Sequence, residues 1–198
     1  MFYETAGNKH GLKFNPFKAL VAPRPIGWIS SLDRDGVVNL APYSYFNAIS
    51  DAPPYVMFSS GGRKDSMRNV EETGEFVCSF VTYDLKDQMN ASSAKVGPEV
   101  DEFEFAGLTS APSQLVKPPR VAQSPAALEC KHYKTIELPG LSGREGNFVV
   151  MGQVVGVYID DNAIDDGRFD IARLRPVARL GYMDYAVVDS VFSMERPD

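Results

Sequence analysis

The sequence predicts a mainly β protein, a barrel or sandwich built from many short strands with a few short helices. Fourteen prolines and sixteen glycines are spread along the 198 residues and divide the chain into short segments. Both residue types interrupt regular elements, so this punctuation favours short strands over long helices. No strand–helix–strand spacing recurs, which argues against a parallel sheet. The length fits a single domain, which we place at residues 1–198.

The predicted elements follow one another with turn signals between them. The strands are rich in β-branched and aromatic residues and cover 26–32, 37–41, 54–60, 76–81, 126–138, 147–159 and a late pair at 179–185 and 187–194. The first two form a hairpin because the turn between them ends in Asp35-Gly36. A helix is predicted over 65–73, with Asp65 as its N-cap and Gly74 at its end. Residues 84–94 are a polar second candidate helix.

Composition excludes several classes of protein. Twenty Lys and Arg residues against 26 Asp and Glu residues give a net charge of −6, so neither nucleic acid nor an anionic membrane surface is an expected partner. No apolar run approaches the roughly 18 residues of a membrane span, and the amino terminus lacks the pattern of a signal peptide. Cys78 and Cys130 are the only cysteines, which excludes a cysteine-rich zinc site and a disulfide framework. We therefore expect a cytoplasmic protein without a bound metal.

The segment from Ser59 to Ser66 carries the chemistry that a phosphate group needs. It joins a predicted strand end to a predicted helix start, and Gly61-Gly62 let a ligand approach the backbone closely. Arg63 and Lys64 add two positive charges, and three serines add hydroxyl donors. The alternative is an ordinary solvated turn before a capped helix. The residues alone leave both interpretations open.

A second segment, residues 39–46, suits the border of a flat ring. It combines a strand with Pro42, which lacks a backbone N–H, and with Ser44 and three aromatic residues. Such a segment offers apolar faces for stacking and backbone groups for the ring edge. The alternative is an aromatic core strand with a proline bulge. Because the chain shows no paired catalytic carboxylates and no triad spacing, a bound cofactor would carry the chemistry of an enzyme.

Short motifs in a fixed order resemble the flavin reductase-like FMN-binding family, close to its flavoredoxin members. The motifs are Pro23 to Ser31 (PRPIGWISS), Asp35-Gly36, Asn39 to Ser44 (NLAPYS) with Phe46, Pro53-Pro54, Lys64-Asp65-Ser66 with Asn69, Gly74 to Val77 (GEFV), Glu129-Cys130, Gly152 to Val155 (GQVV), and Arg179 to Tyr182 (RLGY) with Tyr185. Each motif is short, but the ordered set covers nearly the whole chain.

The resemblance implies a split β-barrel that binds FMN without a Rossmann motif, as a homodimer with FMN near the subunit interface. It implies that the FMN phosphate is held by Ser59, Ser60, Arg63, Lys64 and Ser66, with Asp65 capping the helix. It places the isoalloxazine and the ribityl chain beside Ser30, Ser31, Ala41, Pro42, Tyr43 and Ser44, with Trp28 and Asn69 as neighbours. Arg24, between two prolines, is a weaker candidate.

Three functions are compatible with this resemblance. The first is an oxidoreductase that passes electrons from NAD(P)H through FMN to free flavin or to a partner protein. The second is an FMN electron carrier of the flavoredoxin type, served by a protein donor. It is favoured by one departure from the family: many NADH-dependent members carry Gly-Asp-His before the last long strand, where this chain has Gly146-Asn147-Phe148. The third is a binding module that has lost flavin.

Overall fold

The structure, a computed structural model, describes residues 1–97, 99–141 and 143–197 and confirms a mainly β fold, with 38% of the chain in strands and 17% in helices. The strands are β1 (Arg24–Pro25), β2 (Gly27–Leu32), β3 (Val38–Tyr43), β4 (Phe46–Asp51), β5 (Pro54–Gly61), β6 (Glu75–Ser79), β7 (Ser110–Ala111), β8 (Arg120–Val121), β9 (Ala126–Leu138), β10 (Asn147–Ile159), β11 (Ile164–Asp165), β12 (Arg168–Phe169), β13 (Val177–Arg179) and β14 (Tyr185–Val187). The helices are α1 (Phe17–Leu20), α2 (Asp65–Thr73), α3 (Lys86–Ala91), α4 (Glu102–Phe105) and α5 (Ile171–Leu174).

The principal sheet is a split β-barrel, as expected. Its seven strands run in the order β3-β2-β6-β9-β10-β5-β4, and all neighbouring strands are antiparallel. The two edge strands, β3 and β4, follow each other in the chain and are separated only by Ser44 and Tyr45. Because so short a link spans only about 10 Å, the sheet must curl until its edges approach. The Ser59 N–H donates to the Tyr45 carbonyl at 2.8 Å and holds that corner.

The barrel interior contains the main apolar cluster. Alternation along the strands directs every second residue inward, and the cluster comprises Ile29, Tyr43, Val56, Phe58, Met67, Val70, Phe76, Cys78, Cys130, Phe148, Val150 and Val154. Gly27 lets the strand edges close, because a Cβ at this position would lie 2.7 Å from the Phe46 Cγ. The interior therefore depends on a glycine on β2 as well as on large side chains.

Helix α2 closes against this barrel with one apolar stripe. Met67 and Val70 are fully buried in the interior cluster, and each contributes roughly 1.5–3 kcal/mol of hydrophobic free energy. Gly74 ends the helix in the left-handed conformation, at φ 78°, as the sequence predicts. The prediction that Asp65 caps the helix is wrong. The N-cap is Lys64, no side chain caps it, and the Asp65 carboxylate instead accepts from Arg68 at 2.6 Å.

A second apolar cluster lies on the outer face of β2 and β3. Trp28 and Leu40 point into it because they alternate with the inward-facing Ile29 and Ala41. Apolar residues from 81 to 91 and from 103 to 121 cover this face, with Phe103 and Val121 almost completely buried. Within the described residues, no helix combines the length and the apolar character that crossing a membrane requires.

Most of the predicted elements occur where the sequence places them. The bounds of α2, β9 and β10 agree with the predictions. The candidate helix at 84–94 is shorter, because a 3₁₀ turn leads into α3 and the helix ends at Ala91. The late strand pair is displaced: β13 and β14 each share one residue with the strands predicted at 179–185 and 187–194, respectively, and residues 188–197 hold no strand. Strand β4 was not predicted, because it is polar and almost wholly exposed.

Candidate functional site

A cleft of about 790 Å³ opens beside the first turn of α2. Its walls are β3 with the two residues after it, the turn from β5 to α2, residues 92–96, and the single side chains Lys18, Glu102 and Asn147. This volume lies within the range of small-molecule sites. The two segments that the sequence singled out, 39–46 and 59–66, thus meet in one cleft.

The turn between β5 and α2 forms one end of the cleft. Alternation along β5 leaves Ser59 partly exposed towards the cleft and directs Ser60 into the fully buried interior, on the side of Phe58. The Ser60 hydroxyl donates to the Gly62 carbonyl at 2.8 Å and shapes the turn. Gly62 has φ +83°, a conformation that L side chains rarely adopt. The chain can therefore turn sharply from the strand into the helix.

The first turn of α2 presents unpaired donors at this end. The N–H groups of Asp65, Ser66 and Met67 have no backbone acceptor among the described residues, because the first intrahelical bond runs from Arg68 to the Lys64 carbonyl at 3.0 Å. Such groups and the helix dipole favour an anion. The α2 N-terminus therefore supplies several donors to one point of the cleft.

Arg63 and Lys64, the two cations at this end, differ in whether they already form an ion pair. The Arg63 guanidinium donates to the Glu71 carboxylate at 2.7 Å and lies 5.3 Å from the centroid of the Phe148 ring. Lys64 is exposed and makes no ion pair with any described carboxylate. Lys64 is consequently the cation with its charge available for a ligand.

A buried hydrogen-bond group joins this end to β3. Asn39 Nδ2 donates to the Ser66 Oγ at 2.8 Å, and the Tyr43 hydroxyl lies beside Ser66 and Ser60. Burial raises the pKa of Tyr43, and the neighbouring hydroxyls of Ser66 and Ser60 lower it less. The Tyr43 phenol is therefore neutral at physiological pH and can serve as a donor.

Glu102 is the carboxylate on the opposite wall. Its Oε2 accepts from the Leu40 N–H at 3.1 Å, which anchors α4 to β3. Burial raises the pKa of Glu102, and the hydrogen bond from Leu40 lowers it less.

Nine of the fourteen predicted site residues line the cleft, and five lie behind its wall. The nine are Ala41, Pro42, Tyr43, Ser44, Ser59, Arg63, Lys64, Asp65 and Ser66. The others face away because of strand or helix direction and are Trp28, Ser30, Ser31, Ser60 and Asn69.

All five of these residues make side-chain hydrogen bonds, and Ser60 shapes the turn at the phosphate end as described above. Trp28 Nε1 donates to the Ser92 Oγ at 2.9 Å, and Ser92 lines the cleft. Asn69 Nδ2 donates to the Ser31 Oγ at 3.3 Å and so ties α2 to β2. Ser30 donates to the Pro119 carbonyl, away from the cleft. Apart from Ser30, these side chains position the wall of the cleft and do not line it.

Sequence reasoning missed part of the wall. Asn39 carried a signal, because it alternates with Ala41 and Tyr43 on one face of β3. Lys18, Lys95 and Glu102 carried no such sequence signal, since only the fold brings them to β3.

Among the described residues of the wall there is no histidine, and His132 lies on β9, hydrogen-bonded to Thr135 at 2.9 Å. No described group of three His, Cys, Asp or Glu residues could hold a metal ion.

Comparison with known proteins identifies similar sequences and folds. Residues 20–185 match the family model for the flavin reductase like domain. A protein of Halalkalibacterium halodurans is 38% identical over 182 residues, 89% of this chain and 87% of that protein. Nitrilotriacetate monooxygenase component B from Bacillus cereus is 29% identical, with a TM-score of 0.86 over 98% of this chain and 99% of that chain. The 2-nitrobenzoate 2-nitroreductase NbaA of Pseudomonas fluorescens is 28% identical, with a TM-score of 0.85 over 100% of this chain and 96% of that chain.

The flavoredoxin of Desulfovibrio vulgaris has the same fold. It is 24% identical, with a TM-score of 0.76 over 87% of this chain and 90% of that chain. This likeness concerns the fold alone. It confirms the resemblance on which the split barrel was expected, and it does not separate a reductase from an electron carrier.

Proposed function

We propose that this chain, which belongs to the flavin reductase-like domain family, is an oxidoreductase whose cleft binds FMN with the phosphate at the first turn of α2. The observation that carries the proposal is the convergence of three unpaired N–H groups, the Lys64 ammonium and the Ser59 and Ser66 hydroxyls at one end of a cleft of about 790 Å³. A phosphate dianion satisfies all of these donors together.

The remaining wall fits the ring and the sugar-like chain of FMN. Ala41 and Pro42 offer an apolar surface without a competing N–H at Pro42. Tyr43 and Ser44 offer hydroxyl groups. When bound, FMN supplies the capacity to accept a hydride and to release electrons singly or in pairs. The chain itself binds, orients and excludes water, and the mechanism requires no acid or base from the protein.

The proposed hydride source is NAD(P)H, and the proposed acceptor is free flavin or a partner protein. One observation favours a second candidate, an FMN electron carrier served by a protein donor. Asn147 lines the cleft at the start of β10, where many NADH-dependent members of the family carry an acid followed by a histidine. Phe148, in the position of that histidine, is buried in the barrel interior. Neither side chain at this point can hold or donate a proton to a nicotinamide.

An anaerobic titration of the FMN-loaded protein distinguishes the two candidates. NADH and then NADPH are added while the visible absorption band of the flavin is followed. Bleaching within seconds by one nucleotide supports the reductase and identifies its donor. A band that persists with both nucleotides and bleaches with dithionite supports the carrier. A protein that takes up no FMN refutes both and leaves the flavin-free binding module.

We also propose that the chain is a cytoplasmic homodimer acting as one domain over residues 1–198. Exposed apolar side chains at the two ends of the β9–β10 hairpin are consistent with contacts to a second copy: Ile136 and Leu138 at one end, and Val157 and Ile159 at the other. Sedimentation equilibrium tests the assembly, and a species of 21.8 kDa alone would contradict it.

A further inference from the structure

A second cavity, here called the side cavity, opens next to the cleft. Its volume is about 290 Å³, and Lys18, Pro42, Ser44 and Ser93 belong to the walls of both. The rest of its wall comes from β1, from α3 and from the hairpin of β13 and β14. The side cavity therefore adjoins the part of the cleft that lies away from the phosphate end.

The side cavity is positively charged in an acidic protein. Lys18, Arg24 and Arg179 line it, and no acidic side chain is found in the part of its wall that the structure describes. None of the three cations pairs with a carboxylate within residues 1–97, 99–141 and 143–197. With a net charge of −6 on the whole chain, such a concentration of uncompensated cations attracts an anion to this point.

Arg24 is the most deeply placed of these cations. It is 6% exposed, and its guanidinium donates only to main-chain carbonyls, those of Lys18, Val21 and Leu180. Its Nε is buried and has no partner among the described residues. Removing a charge from water is costly unless an opposite charge lies near. An anion in the side cavity would offset that cost.

Arg179 is held in a fixed orientation at the cavity wall. Its Nη2 donates to the Tyr182 carbonyl at 2.6 Å, its Nη1 donates to the Tyr185 hydroxyl, and its guanidinium lies 4.4 Å from the Tyr185 ring centroid. Tyr182, Met183 and Tyr185 give the wall an apolar and aromatic surface. A fixed guanidinium beside aromatic rings is suited to a flat anion, because it pairs with a carboxylate while the rings stack.

We propose that the side cavity binds a small aromatic carboxylate as the second ligand of the flavin site, with Arg179 paired to the carboxylate. The volume of about 290 Å³ holds one ring with its substituents. The role of this ligand beside a flavin rests on the proposed function. The binding itself does not, because the cavity and its cations are present in the protein without FMN.

Calorimetric titration with benzoate tests the proposal, with benzamide as the uncharged ligand of the same shape. The full-length protein is titrated both without FMN and at saturating FMN. We expect benzoate to bind, and benzamide to bind at least about tenfold more weakly, because it lacks the charge-assisted pair. Absence of benzoate binding up to millimolar concentration, or equal binding of both ligands, overturns the proposal.

Three variants locate the bound carboxylate. Arg179→Gln should weaken benzoate binding about tenfold or more, and Lys18→Gln should weaken it severalfold without touching the β13–β14 hairpin. Arg34→Gln is the matched control, because Arg34 pairs with Glu72 of α2 and lines neither the cleft nor the side cavity. Equal benzoate affinity in wild type, Arg179→Gln and Lys18→Gln refutes the assignment. A wild-type protein that binds benzoate but not FMN would refute the proposed function alone. A wild-type protein that binds FMN but not benzoate would refute the side cavity alone.

Discussion

Asn39 donates a hydrogen bond from Nδ2 to the Ser66 Oγ at 2.8 Å, across the junction between β3 and the first turn of α2. Both side chains are buried, and Tyr43 contacts the same serine. One hydroxyl therefore links the wall proposed for the flavin ring to the donors proposed for the phosphate. This bond fixes the two halves of the cleft relative to each other, and the predictions below follow from that arrangement.

Removing this hydrogen bond should lower both stability and FMN affinity. Asn39→Ala and Ser66→Ala should each cost roughly 1 kcal/mol of unfolding free energy, because each leaves a buried polar partner. The double variant should cost less than the sum of the single variants, since both remove the same bond. Urea unfolding measures the coupling. Strict additivity would show that the two side chains act independently.

Lys64 should contribute more to FMN affinity than Arg63. Lys64→Ala should weaken FMN binding by about tenfold to a hundredfold, because it removes a charge-assisted contact. Arg63→Ala should have a smaller effect, because that guanidinium is already paired with Glu71. Flavin fluorescence titration measures both, with Lys131→Ala on β9 as the control. A larger loss in Arg63→Ala than in Lys64→Ala contradicts this ranking.

Glu102→Gln should stabilise the protein more at neutral pH than at acid pH. Burial raises the pKa of Glu102 above its ordinary value of 4.5. The stability that the protonated carboxyl contributes is therefore complete below that value and is lost as the pH rises through the folded-state pKa. Glutamine resembles the protonated form and escapes that loss. The melting-temperature difference between variant and wild type should grow from about pH 4 to about pH 7, and Glu104→Gln on the exposed face should show no such trend.

Gly27→Ala should destabilise the barrel. The new methyl group would overlap the Phe46 ring at the first residue of β4, and such overpacking costs roughly 1–3 kcal/mol. Gly7→Ala is the control, because its nearest neighbour would be the Lys9 Cγ at 3.5 Å, an ordinary contact. The urea midpoint should fall for Gly27→Ala only. An unchanged midpoint would mean that β4 does not close against β2.

Elements set by local signals could be predicted from the sequence. The end of α2 follows from Gly74, and the bounds of β9 and β10 follow from long β-rich runs. Strand β4 could not be predicted, because its burial is slight and its stability comes from pairing with β5. Its position is a consequence of barrel closure, which no local pattern encodes.

The candidate site was predictable in its two segments but not in its detail. The motifs at 39–46 and 59–66 do meet in one cleft. The family resemblance places Ser60 at the phosphate, whereas its alternation with Val56 and Phe58 on β5 directs it to the interior. Glu102 and Ser92 come from distant parts of the chain, and only tertiary packing brings them to the cleft.

The most direct test of the phosphate-binding end is a comparison of FMN with riboflavin. The two ligands differ only by the phosphate, and both are titrated calorimetrically against the same protein. Donors gathered at the first turn of α2 predict that FMN binds about a hundredfold more tightly or better, from two or more charge-assisted hydrogen bonds. Equal affinity for the two ligands would show that the phosphate is not held there, and would contradict the central assignment of this cleft.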